Sequence, residues 1–259
     1  MGKARVRAYQ LALLVLIVLG WEFSVRLGWV DAFFFSKPSD IAVRIYAWFA
    51  SGEVYRHLWI TLAETVLAFL SGTLAGVAFG LWLALSPTAS AVLDPFLKAL
   101  NSVPRVILAP IFTLWFGLGM ASKVALGFTL VFFIAFFNTY QGIREVSPVV
   151  LANARMLGAN RGQLLRHVYL PSAASWILSS LRTSVGFAVI GAVVGEYLGA
   201  SAGLGYVISQ AEGVFDTTSV FAGIVVLAVF VVLLDVGVSL VERKLLVWRP
   251  EPGQEGGTV

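Results

Sequence analysis

Residues 145–171, EVSPVVLANARMLGANRGQLLRHVYLP, decide how the rest of this chain is read. They carry Arg155, Arg161, Arg166 and His167, contain no apolar run of their own, and lie between two long ones. Pro148 suits the opening of a helix, where its missing N–H leaves no bond unmade. Leu151, Ala154, Met156, Leu157 and Arg155 then offer an apolar ridge with one cation. Gly158 permits the tight turn that closes this helix. Residues 163–169 make a second short helix, and Leu170-Pro171 leads into the next apolar run. An exposed ridge of this kind suits a groove on a partner protein; the competing reading is a loop held on a bilayer surface by its arginines.

The surrounding composition supplies the bilayer. Of the 259 residues, 59% are hydrophobic and 12% charged, with a mean hydropathy of +0.88. Soluble domains carry about 25% charged residues, so half that charge with several long apolar runs indicates a polytopic membrane protein. The net charge of +4 is too small and too dispersed for a nucleic-acid partner. There is no cysteine, hence no disulfide framework or thiolate metal site, and two histidines, His57 and His167, are too few for a histidine metal site unless carboxylates complete it.

Six spans follow from the apolar runs. Lys3, Arg5 and Arg7 precede the first, which starts at Leu11. The bulky Trp21-Glu22-Phe23 after it offers no cleavage site, so an uncleaved helix to about Leu27 is expected. In Ser36-Lys37-Pro38-Ser39-Asp40 we read a turn and a helix start capped by Ser39 or Asp40. Ile41, Ile45, Trp48 and Phe49 then mark an amphipathic helix on the outer membrane surface. Residues 58–85 form the second span, with Ala68, Gly72, Gly76, Gly80 and Ala84 on one face, where small residues let another helix approach. Asp94, Pro95 and Lys98 fall in or near the next turn. Residues 101–119 form the third span, with Pro104 and Pro110 inside it. Proline removes a backbone donor and kinks a helix, which here marks either a translocation path or a packing bend. Residues 124–140, rich in Phe, and 176–199, with Gly191, Gly195 and Gly199 in register, are the fourth and fifth spans. Residues 201–218 are an outer loop and 221–241 the sixth span.

With the N-terminus inside, six spans also put the C-terminus inside. The inner segments then hold Lys3, Arg5, Arg7, Lys98, Arg144, Arg155, Arg161, Arg166, Arg243, Lys244 and Arg249, and the outer ones Arg26, Lys37, Arg44, Arg56 and Lys123. This excess of inner cations fits the orientation and makes 145–171 cytoplasmic. The chain divides into a first helix and outer segment (1–56), a membrane-spanning core (57–243) and a disordered tail (244–259).

No G-x-x-x-x-G-K-[ST], H-E-x-x-H or G-x-S-x-G occurs, so no P-loop and no catalytic centre is expected. Glu64, Arg182, Glu196 and Asp235 lie within spans. An ionised group in hydrocarbon costs about 3 kcal/mol even on the lenient scale. For Glu64, Arg182 and Asp235 snorkelling to an interface is the favoured escape; Glu196 is a candidate for the wall of the pathway or an internal ion pair.

The spacing of 152–171 resembles the cytoplasmic E-A-A-x3-G-x9-I-x-L-P loop of ABC importer permeases. Ala154, Gly158, Val168, Leu170 and Pro171 match it, while Ala152 replaces the glutamate and Asn153 the first alanine. Ser36-Lys37-Pro38-Ser39, Pro104–Pro110 (PRVILAP), Trp115-Phe116-Gly117-Leu118-Gly119, Asn138-Thr139-Tyr140, Gly195-Glu196 and Gly203-Leu204-Gly205-Tyr206 are similar to the nitrate/sulfonate/taurine subfamily, and to permeases for thiamine-precursor pyrimidines and riboflavin. The resemblance implies an all-α, six-span type I importer fold in the bacterial inner membrane, with Ala152, Asn153, Ala154, Arg155, Met156, Leu157, Gly158, Ala159, Leu170 and Pro171 docking on ABC ATPase subunits that bind the ATP and Mg. It further implies a permease homodimer and an extracytoplasmic solute-binding protein, and no cofactor in this chain. An ATP-independent secondary transporter or channel is the alternative, and would need a cluster of intramembrane acids.

Overall fold

The structure, a computed structural model, describes residues 3–245, with side chains over 4–240. Of the tail expected at 244–259, the first two residues continue the final helix and the rest lie outside the described residues. The described residues form helices and turns without strands: α1 (Lys3–Arg26), α2 (Ala32–Phe35), α3 (Pro38–Ser51), α4 (Glu53–Ala84), α5 (Pro87–Asn101), α6 (Ala109–Phe116), α7 (Met120–Arg144), α8 (Pro148–Met156), α9 (Arg161–Leu164), α10 (Leu170–Gly199), α11 (Leu204–Gly213) and α12 (Thr217–Leu245). Among them, α1, α4, α7, the run from α9 through α11, and α12 are long and apolar enough to cross a membrane. The pair α5 and Arg105–Phe116, bent by 84°, makes a sixth span if counted as one.

That bend corrects the expected third span. Residues 101–119 are not one kinked helix. α5 ends at Asn101, Pro104 stands in the break, a 3-10 turn covers Arg105–Leu108, and Pro110 occupies the first turn of α6. Proline there costs nothing, because the first turn has no internal acceptor for its N–H. Asp94, Pro95 and Lys98, expected near a turn, lie within α5. Part of the outer loop expected at 201–218 is helix α11. At the start of α3 the cap position is Lys37 with no side-chain cap, and Pro38 begins the helix, instead of a Ser39 or Asp40 cap.

Two compact units emerge. One comprises the chain up to Thr65, Val106–Leu126 and Gly191–Val229; the other comprises Val66–Arg105, Gly127–Ile190 and the described residues from Phe230 onward. In the second, α4 lies directly on α7. A Cβ at Gly72 would stand 2.7 Å from Val131 Cβ, at Gly76 2.5 Å from Phe132 O, and at Gly80 2.7 Å from Phe136 O. No side chain fits there, so the backbones touch and dispersion replaces the missing hydrophobic drive. Leu83, Phe136 and Tyr140 form the adjoining core, with Phe79, Leu93, Leu97, Phe132 and Phe137 around it. The phenylalanines of 124–140 therefore serve this packing, Phe136 being 1% exposed.

In the first unit, hydrogen bonds tie the segment after α1 to the start of α12. The Arg44 guanidinium donates to Asp216 at 2.9 Å, Ser36 Oγ and Thr218 Oγ1 are 2.7 Å apart, and Thr217 Oγ1 donates to Phe33 O. Asp216 caps α12 by accepting from Ser219 N at 3.0 Å, which satisfies one of the donors a helix start leaves open.

Candidate functional site

Residues 145–171 fold as the local chemistry dictates. Pro148 opens α8. At its end Gly158 takes φ +83°, a left-handed conformation that glycine adopts without strain. Gly158 N then donates to Arg155 O and Ala159 N to Ala154 O, each at 3.0 Å, which closes the helix C-terminus. Asn160 and Gln163 form a reciprocal cap, Gln163 N to Asn160 Oδ1 at 2.9 Å and Asn160 N to Gln163 Oε1 at 2.8 Å, that starts α9. A π turn at Leu165–Tyr169 carries the chain into α10 through Leu170 and Pro171.

This hairpin leaves its apolar tip uncovered. Met156 is 81% and Leu157 89% exposed, and Val149 and Val150, which the ridge read from sequence omitted, are also exposed. Ala152, Asn153, Arg155 and Gly158 are exposed, whereas Leu151, Ala154 and Ala159 are half-buried. Among the described residues Arg155 makes no ion pair. The tip thus offers two large apolar side chains and one unpaired cation on a backbone already closed by its own hydrogen bonds.

A second constellation lies in the first unit and is built around ionisable side chains, with α4, α7, α10 and α11 each contributing. Lys123 is 1% exposed, and its ammonium donates to Leu118 O at 2.6 Å and to Gly199 O. Glu196, also 1% exposed, accepts from Thr61 Oγ1 at 2.6 Å and from Gly205 N at 2.7 Å. Glu64, 2% exposed, faces Glu196 and Lys123. Thr61 Oγ1 accepts from Leu204 N at 2.9 Å, and His57 Nδ1 from Gly203 N at 3.0 Å. The start of α11 is therefore capped by side chains from α4 and α10, and the Glu196 carboxyl stands at the end of the helix that favours negative charge.

The glycines make this possible. A Cβ on Gly195 would come within 2.9 Å of Lys123 Cγ, and one on Gly203, where φ is +117°, would overlap the Glu196 carboxyl. Gly199 faces Leu118, and Gly191 is buried. The burial corrects two expectations. Glu64 does not snorkel but is buried facing Glu196 and Lys123, and Lys123, counted among the cations of the outer segments, is buried within α7. The local sequence Ala121-Ser122-Lys123, small and polar, gives no sign of this burial, because Glu64, Glu196 and Gly199 sit on other helices. Glu196 is enclosed here, and Pro104 and Pro110 are exposed. Arg182 and Asp235 lie 3.5 Å apart and half-exposed.

A helical membrane domain with a short helical hairpin between two of its spans is the architecture of type I ABC importer transmembrane domains. The methionine ABC transporter MetNI in inward-facing conformation superposes with a TM-score of 0.64 at 20% identity, covering 74% of this chain and 95% of that one. An amino acid ABC transporter gives 0.59 at 20%, covering 79% and 95%. This chain belongs to the family of binding-protein-dependent transport system inner membrane components, which it matches over residues 76–247. It is 38% identical to a Bacillus subtilis permease named for aliphatic sulfonates transport (92% of this chain, 87% of the relative). It is 34% identical to a riboflavin transport permease of Chloroflexus aurantiacus (91% and 88%) and 30% to a taurine transport permease of Escherichia coli (92% and 88%). The protein is a membrane-embedded permease component of an ABC transporter, a family that works with an ATPase and a binding protein.

Proposed function

We propose that this chain forms, in the bacterial inner membrane and with both termini in the cytoplasm, the path of a small solute delivered by an extracytoplasmic binding protein. Two copies make the pathway, each docking one separate ATPase subunit through residues 145–171. ATP and Mg are held by that subunit, and this chain supplies no cofactor and no hydrolysis. The observation that carries the reading is the uncovered tip of α8. Met156 and Leu157 are almost fully exposed on a hairpin whose own backbone bonds are complete, so the tip needs a groove and not a refolding step. Arg155 adds a charge for an acidic counterpart. The missing glutamate at Ala152 removes one charge from the docking face without altering its shape. Relatives named for sulfonates, taurine and riboflavin point to a small organic solute, whose selection rests with the binding protein.

Because the chain has no cysteine, Leu157→Cys gives a single thiol at the tip. In the assembled transporter it is shielded from maleimide and cross-links to the ATPase. Equal labelling with and without the ATPase would overturn the docking role.

A further inference from the structure

Two cavities in the second unit, of about 460 and 390 Å³, share Asp94 and Arg144 in their walls. Their charges are unevenly satisfied. Lys98 is paired with Asp94 at 2.6 Å on α5, and Gln141 donates to Glu145 at 2.9 Å. Arg144 makes no ion pair among the described residues. It is nonetheless held in place: its guanidinium donates to Tyr140 Oη at 2.6 Å and lies 5.4 Å from the centre of that ring. Tyr140 is itself buried and hydrogen-bonded to the buried Ser90. Ordering an arginine in this way removes much of the entropy cost of binding an oxyanion with its remaining N–H donors.

Beside Arg144 the larger cavity is lined by Phe137 and the exposed Trp176 together with the polar Asn138 and Gln141, and the smaller one by Ala84, Pro87, Ala91 and Ser90. Trp176 is wedged by Gly142, where a Cβ would meet its side chain at 2.9 Å. A free inorganic anion has no use for such walls. An amphipathic anion does, because a phosphate can sit on Arg144 and Lys98 while glycerol and acyl carbons lie along Phe137 and Trp176. Basic pockets between spanning helices hold anionic head groups in this manner, and tryptophan concentrates at the same depth.

We propose that the Arg144 groove is a binding site for an anionic phospholipid, with the phosphate on the Arg144 guanidinium. The site uses no residue of the docking tip or of the buried Lys123 cluster, so it stands or falls apart from the transport reading.

The test is native mass spectrometry of the full chain, purified in detergent, delipidated and titrated with phosphatidylglycerol, with phosphatidylcholine of the same acyl chains, and with inorganic phosphate. Phosphatidylglycerol is expected to bind in preference to phosphatidylcholine. Arg144→Gln and Lys98→Gln should each weaken it about fivefold, the value of one cation beside an anionic head group, with phosphatidylcholine unchanged. Lys98 is exposed, so Lys98→Gln carries the test should Arg144→Gln fail to fold. Equal binding of the two lipids, or phosphatidylglycerol binding indifferent to both substitutions in folded protein, overturns the proposal. So does displacement of the lipid by an equal concentration of inorganic phosphate, which would mark a free-oxyanion site.

Discussion

Lys123 illustrates how much a single side chain can depend on the rest of its unit. Its aliphatic stem fits over Gly195, and its ammonium is received by two carbonyls freed where helices end. Lys123→Met would keep the stem and remove the charge, leaving Glu64 and Glu196 buried without a cation. Leaving a buried charge uncompensated costs about 3–5 kcal/mol, and we expect a fall in melting temperature that Glu64→Gln partly reverses in the double variant. Additive losses from the two substitutions would sink the idea of a coupled cluster. At Asp216, partial burial alone would raise the carboxyl, but hydrogen bonds from Ser219 and the Arg44 guanidinium outweigh it and hold it below the ordinary aspartate value. A depressed folded pKa means the stabilisation is present above the unfolded pKa and lost as pH falls through the folded one. Thermal melts from neutral to acid pH should show this loss, and Asp216→Asn should reduce it; an identical acid profile in the variant would disprove the linkage. Little of this was legible in the sequence, because Gly199, which receives Lys123, and Arg44, which pairs with Asp216, stand on distant elements.

The α8 hairpin was legible because its signals are local. Pro148, Gly158 and Asn160 set its start, turn and restart within a dozen residues, and each acts on its own backbone. Gly158→Ala meets no atom within 4 Å and bears only the strain of φ +83°, a cost of about 1 kcal/mol. Gly158→Pro cannot reach that φ at all. Transport in vesicles should survive the alanine and vanish with the proline, and Arg155→Glu should abolish transport while membrane insertion of all three stays intact. Full transport by the proline and glutamate variants would remove the hairpin from the coupling route. The bent pair α5 and α6 was less legible, since hydropathy averages over the break at Pro104 and cannot distinguish a kink from a change of direction. α11 was missed for a related reason: with ten residues it is too short for a span and is anchored by side chains from elsewhere.

Across the described residues, hydropathy sufficed for the class and for five spans, or six with the bent pair counted as one, because a bilayer imposes the same length rule on every crossing. Hydropathy did not foresee that Glu64 and Lys123 remain inside. Assembly is the open quantity at this scale. If two copies form the pathway, the detergent-solubilised permease with its ATPase should weigh as two of each by light scattering; a stable complex with a single permease would exclude the homodimer.

The capping of α11 has one more consequence. Gly203, Leu204 and Gly205 give their amide protons to the half-buried His57 and to Thr61 and Glu196, both buried, so that the last two bonds cannot open singly without stranding a polar group away from water. The amides of Leu204 and Gly205 should therefore trade their hydrogens for deuterium in one slow, shared event, a clock that reports each time this corner of the protein comes apart.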